Sequence, residues 1–142
     1  MSKLILAAVD LSHADDQQSI LAKASDLAAL EQAKLAVIAV IPDFGMSIVG
    51  SFFPKDAAKN ALAKAKTDLD QFIAQGLGQN ADVEPIVQVG NAYEKILKTA
   101  EKLDASTIVI GAHRPNFEDY LLGPHAARVV RHANCSVFVV RD

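Results

Sequence analysis

The sequence is poor in the features that would announce an activity. It has one cysteine, Cys135, among 142 residues. No internal disulfide is available to that thiol, and it reads as a small half-buried side chain at a helix-to-strand junction. No apolar run approaches a membrane span: the longest is Leu35 to Ile41. The opening run from Leu4 to Val9 stops at Asp10, too short for a signal-peptide core and without a small-residue cleavage site. A cytoplasmic, water-soluble protein is therefore expected. Positive charge is also scarce. Lys and Arg number 14 against 17 Asp and Glu, a net charge of -3. That balance argues against nucleic acid or an anionic membrane as the main partner. Several chemical signatures are missing as well. There is no G-x-G-x-x-G after the first strand, no G-x-x-x-x-G-K-[ST] and no G-x-S-x-G. His13, His113, His125 and His132 have no Cys or carboxylate at zinc-like spacing, so no metal site is expected. No pair of residues reads as nucleophile and base, so no catalytic residue is assigned.

What is present is a well-patterned core. Hydrophobic residues make up 51% of the chain. A chain of this length buries roughly two-thirds of its unfolded surface, enough to fold without metal or disulfide. Short β-branched runs alternate with helical stripes. Lys3–Val9, Leu35–Ile41, Val83–Val89, Thr107–Ile110 and Ser136–Val140 read as strands. Between them, Ile20, Leu21, Ala24, Leu27 and Ala28 stripe one helix, and Leu62, Ala65, Leu69, Phe72 and Ile73 stripe a second that Gly76 would cap. Ile96, Leu97, Ala100 and Leu103 stripe a third, and Ala126, Val129, Val130 and Ala133 a fourth. Five strands alternating with four helices predict an α/β fold. The sheet is expected to be open, parallel and Rossmann-like, in the order 3-2-1-4-5, with helices on both faces. Pro85 lacks a ladder donor, which puts the third strand at an edge. No repeat or linker-like stretch divides the chain, so one domain over residues 1–142 is expected.

In open parallel sheets ligands bind beyond the carboxyl ends of the strands, where the strand order switches. The residues at those ends are Asp10 after the first strand, Val40 and Ile41 in the second, and Ile110, Gly111, His113 and Arg114 around the fourth. Gly111 permits close approach of a phosphate or ribose to the backbone. Gly123, Pro124 and His125 open the fourth helix, whose first-turn amides form an anion site. Pro124 suits the first helical position. Arg114 and His113 place positive charge nearby. Residues 43–54 carry Phe44, Phe52 and Phe53 on either side of Gly45 and Gly50 and read as a long loop, packed over the body or functional.

These residues resemble the universal stress protein family over essentially the whole chain. The resemblance rests on Val9-Asp10-Leu11-Ser12, Val89-Gly90-Asn91-Ala92, Ile108-Val109-Ile110-Gly111-Ala112-His113, and the ending from Leu121-Leu122-Gly123 to Val129–Val140. His113-Arg114-Pro115 with Tyr120-Leu121-Leu122-Gly123 is similar to the F-type subgroup. The resemblance implies a stress-response or signalling protein that holds ATP or AMP, with or without Mg²⁺, and has little turnover, at most slow ATP hydrolysis or autophosphorylation. Asp10 would meet the ribose or adenine region, Val40 or Ile41 the adenine through the backbone, and Ile110 and Gly111 the ribose–phosphate side. Gly123 and the amides after it would hold phosphates. Nucleotide-binding members carry G-x2-G-x9-G-[ST]. Here Arg114 replaces the second Gly, the spacer is one residue short, and Pro124 replaces the Ser or Thr. Pro124 removes a hydroxyl and an amide donor, while the Arg114 guanidinium suits phosphate oxygens. A dimeric interaction module without nucleotide binding is therefore the alternative. The resemblance also implies a homodimer through the last strand, Ser136 to Val140.

Overall fold

The chain lays down β1 (Leu4–Val9), a 3₁₀ turn (Leu11–His13), α1 (Ala14–Glu31), β2 (Lys34–Ile41), α2 (Ala57–Leu77), β3 (Val83–Val89), α3 (Ala92–Lys102), β4 (Thr107–Gly111), α4 (Pro124–His132) and β5 (Ser136–Val140). The structure, a computed structural model, describes residues 3–41, 57–112 and 124–141. The strands form one sheet in the order β3-β2-β1-β4-β5, every pairing parallel. This is the expected order, with β3 and its Pro85 at one edge. β1 pairs with β2 from Leu4↔Lys34 to Val9↔Ala39 and with β4 from Ile5↔Thr107 to Ala8↔Ile110.

Alternation along each strand divides the core into two layers. Ile5, Ala7 and Val9 pack with Ile20, Leu21 and Ala24 of α1 and Leu69, Phe72 and Ile73 of α2. Leu6 and Ala8 pack on the other face with Ile96 and Ala100 of α3 and Ala126 and Val129 of α4. β1 is buried from Ile5 to Val9. A strand covered on both faces reads as a continuous apolar run, which is why it shows no alternation in sequence.

Two details depart from the sequence reading. Val130 is 44% exposed, so the inner stripe of α4 is narrower than its apolar residues implied. Its short helix turns Ala126 and Val129 inward and leaves Val130 on the outer side. Gly76 does not cap α2, which runs on to Leu77. Gly78, with φ +93, ends it, its N–H bonding the Ala74 carbonyl at 2.9 Å. Gly76 is small for another reason. A Cβ there would sit 2.7 Å from Leu21 Cδ2 and run into the Gln18 side chain, so the glycine sets how closely α1 and α2 approach. Gln18 Nε2 also donates to the Phe72 carbonyl across the same seam at 3.2 Å.

The other helices end without glycine. Gln32 (φ 54) and Asp104 (φ 53) take the left-handed conformation after α1 and α3. In each case the next N–H reaches back to a helix carbonyl: Ala33 to Ala28 at 2.8 Å and Ala105 to Ala100 at 2.9 Å. Left-handed backbone costs a side-chain-bearing residue roughly 1–2 kcal/mol. The bonds that satisfy terminal carbonyls, and the burial of the strand that follows, offset it. Among the described residues no helix is long and apolar enough to cross a membrane.

Gly76→Ala tests the α1–α2 seam. Helix preference alone would stabilise the variant by about 1 kcal/mol. Overpacking of a filled contact costs about 1–3 kcal/mol. The expected result is a lower urea midpoint; a higher one would mean that the two helices are not in close contact at this point.

Candidate functional site

The parallel sheet points every strand's carboxyl end to one pole. Helices that follow these strands must start there, so strand ends and helix N-termini gather on one surface. The order reverses between β1 and β4: from β1 the chain moves outward to β2 and β3, then returns to β4 and β5. Asp10 directly follows β1 at that switch. Ile41 ends β2 on one side and Gly111 ends β4 on the other. The fold thus brings Asp10, Val40, Ile41, Ile110 and Gly111 to adjacent strand ends. His113, Arg114 and Gly123 lie outside the described residues, as does the 43–54 segment.

Local chemistry accounts for part of each position. The exposed Asp10 folds its carboxylate over the following turn: Oδ1 accepts from the Ser12 N–H at 3.0 Å and from Ser12 Oγ at 2.6 Å. Its own N–H donates to Gln17 Oε1 at 3.1 Å. These bonds hold the carboxylate at the pole and start the 3₁₀ turn that leads into α1. The Ile41 carbonyl accepts from Gly90 N–H at 3.0 Å, joining the ends of β2 and β3. Gly90 adopts φ +137 there, a conformation that favours glycine. Val40 and Ile110 turn their side chains into the α3/α4 layer, so toward a ligand at the pole each offers backbone.

Gly111 has a packing reason as well. A Cβ at this position would meet Ile20 Cδ1 at 2.7 Å. The backbone of β4 is approached closely, and the group seen approaching it is a buried isoleucine of α1. From the sequence, a ribose or phosphate is the group expected against the same glycine.

Pro124 opens α4 at its first position, as its fixed φ and missing donor favour. His125 follows and is exposed. Its ring lies 6.1 Å from that of Tyr93, tilted by 34°. The Arg128 guanidinium carbon stands 4.8 Å from the Tyr93 ring centroid. With Asn91 these residues line a cleft of about 220 Å³ between the starts of α3 and α4. Tyr93 and Arg128 carried no signal in the sequence reading. A tyrosine in the first turn of one helix and an arginine in the second turn of another meet only when the sheet sets those helices side by side.

A second cleft, of about 170 Å³, lies at the opposite pole, lined by Leu97, Ala100, Ile108 and Cys135 with Glu101 and Asp104. Burial pushes the Cys135 thiol up from its ordinary value, against smaller lowering by backbone hydrogen bonds. A raised pKa keeps the sulfur protonated and weakly nucleophilic, which agrees with a packing role.

Comparison with known proteins places this geometry. A family model described as the Universal stress protein family matches residues 1–141. Universal stress protein A homolog 1 of Coxiella burnetii is 29% identical over 144 residues, covering 97% of this chain and 95% of its own. Universal stress protein G of Shigella flexneri is 42% identical over 55 residues, a match spanning 39% of either protein. Among solved structures, hypothetical protein MJ0577, the subject of a structure-based assignment of biochemical function, superposes with a TM-score of 0.78 at 25% identity, covering 100% of this chain and 97% of the other. Universal stress protein UspA from Lactobacillus plantarum gives 0.70 at 27% identity, covering 98% and 97%. A universal stress protein in complex with cAMP shares the fold, with a TM-score of 0.69 at 18% identity over 97% and 96% of the two chains.

The Gly111–Ile20 contact is testable by a double-mutant cycle. Gly111→Ala is expected to lower stability by about 1–3 kcal/mol through overpacking. Ile20→Val removes the very methyl group that clashes, so the pair should recover part of that loss. Strictly additive effects in denaturant titrations would contradict the contact.

Proposed function

The chain belongs to the universal stress protein family, and from that premise we propose that it binds an adenine nucleotide, ATP or AMP, at the carboxyl pole of its sheet. It would act in the cytoplasm as a stress-response or signalling protein with little turnover. The observation that carries this reading is the convergence of Asp10, Ile41 and Gly111 at the reversal of strand order, beside the start of α4. The donor set suits the ligand. A carboxylate at the pole accepts from ribose hydroxyls, strand-end backbone reads a base, and a helix N-terminus favours phosphate. A family member solved with cAMP supports a nucleotide at this fold. The residues on this chain that would hold the nucleotide are Asp10, Val40, Ile41, Ile110 and Gly111, with His113, Arg114, Gly123 and the start of α4, Pro124 and His125, on the phosphates. Mg²⁺ would accompany ATP as a counter-ion.

One observation favours a second reading. Pro124 occupies the first position of α4, where it supplies neither amide nor hydroxyl. A lost hydrogen bond to a charged group weakens binding by about 1.5–3 kcal/mol, roughly tenfold to a hundredfold. On this reading the protein is an interaction module that no longer holds nucleotide. Calorimetric titration with ATP and AMP, with and without Mg²⁺, separates the two. Heat of binding with the native sequence supports the nucleotide reading, and its absence at high-micromolar protein overturns it. The module reading requires Pro124→Ser to create or strongly raise affinity, and it fails if the native sequence already binds as tightly.

Either reading is compatible with a homodimer through β5. The sheet's two edges differ in a telling way. β3 carries Glu84 and Pro85, which blunt an edge against pairing. β5 reads Ser-Val-Phe-Val-Val, has a strand on one side only, and exposes 38% of Phe138. An unguarded edge that pairs with its own copy makes an isologous contact. Sedimentation velocity in the tens-of-micromolar range is expected to show a dimer, and Phe138→Lys to shift it toward monomer. A native monomer at those concentrations would count against the pairing.

A further inference from the structure

In the cleft between the starts of α3 and α4, Tyr93 packs partly against the core and Asn91 caps α3, but no described residue gives the two cationic side chains beside them a packing task. Arg128 and His125 are exposed, and among the described residues no carboxylate pairs with either. The guanidinium is nonetheless held in place, because it lies over the Tyr93 ring at 4.8 Å. A guanidinium over an aromatic face is attracted to the ring without using its N–H groups, which stay available to an acceptor. The His125 ring flanks the same tyrosine at 6.1 Å. Asn91 Oδ1 caps α3 by accepting from the Glu94 N–H at 3.5 Å, which leaves the amide NH₂ as a donor. Two helix N-termini border the space, and each carries partial positive charge. The first turn of α4 holds no acidic residue, and α3 has only Glu94, at the next position round the helix from Tyr93.

We propose that this Asn91–Tyr93–His125–Arg128 cleft is a phosphoryl-binding subsite, with Arg128 as its principal donor and Tyr93 as the platform that orients it. The volume, about 220 Å³, is below the roughly 300–1,000 Å³ of pockets that enclose a whole small molecule. It suits one end of a ligand whose remainder lies elsewhere on the pole. The subsite deepens the nucleotide reading and in that respect rests on it: it would take terminal phosphates that extend past the start of α4 toward α3. Its chemistry is nevertheless independent of a base or ribose, and inorganic pyrophosphate serves as a probe in its own right.

The experiment follows the Tyr93 and His125 ring resonances of the full chain while inorganic pyrophosphate is added, and repeats the titration with AMP and ATP. Saturable shifts of both rings with pyrophosphate are expected. Arg128→Gln should weaken that binding about tenfold to a hundredfold. Arg128→Lys keeps the charge without the flat fork and should recover only part of it. Tyr93→Phe should bind like the native chain, whereas Tyr93→Leu should lose affinity. Asn91, His125 and Arg128 are exposed, whereas Tyr93 packs partly against the α3/α4 core layer, so circular dichroism and a urea midpoint check that each variant remains folded. Absence of ring shifts at saturating pyrophosphate overturns the subsite, as does an Arg128→Gln titration that matches the native one. ATP binding that is indifferent to Arg128 removes the subsite and leaves the nucleotide reading standing. Pyrophosphate binding without AMP or ATP binding does the reverse.

Discussion

From Ile5 to Val9 every side chain of β1 is buried, the first three completely, and the arrangement of the other elements follows from keeping it so. Each large apolar side chain that is fully buried contributes roughly 1.5–3 kcal/mol. Ile5 and Leu6 face opposite ways, and both are completely enclosed. Burial on two faces requires helices on both sides. Parallel neighbours on both edges satisfy the backbone donors and acceptors that burial removes from water. β1 therefore sits at the centre, flanked by β2 and β4, with α1 and α2 over one face and α3 and α4 over the other.

The same constraint creates the candidate site. A first strand flanked by the second and the fourth means that the chain must reverse direction across the sheet once. At that reversal the outgoing and returning crossovers part, one to each face of the sheet, and the strand ends border the space between them. Asp10 lies there because it is the first polar residue after the buried run. Its carboxylate is steadied by Ser12, so the residue that ends the strand also starts the next turn. Packing and function meet at Gly111, where the glycine accommodates Ile20 from one side while its backbone borders the pole.

Much of this was legible in the residues. The five strands lie where the β-branched runs stand, and the edge position of β3 was readable from Pro85. The helix stripes were also readable, because period and burial are two views of one geometry. Helix ends were less so. Gln32 and Asp104 adopt left-handed backbone without being glycine, since tertiary burial of the following strand outweighs the local cost. Gly76 looked like a cap but is a spacer, because its role depends on α1, more than fifty residues away in sequence. Val130 is apolar yet outward, since α4 turns Ala126 and Val129 into the core and the next position round the helix faces away.

By itself, the sequence determined which segments are strands and helices, that the sheet is parallel, and that the polar strand ends collect at one pole. Those are consequences of local periodicity and of the short, right-handed connections that link such elements. Only the tertiary structure decided what stands beside what at that pole. His125 and Arg128 stand one turn apart on α4, but Tyr93 is on α3, and no spacing in the sequence joins it to them. Their meeting is fixed by the sheet beneath them, which sets α3 against α4. The close approach of Ile20 to Gly111 has the same origin, as distances between segments are set by packing rather than by position along the chain.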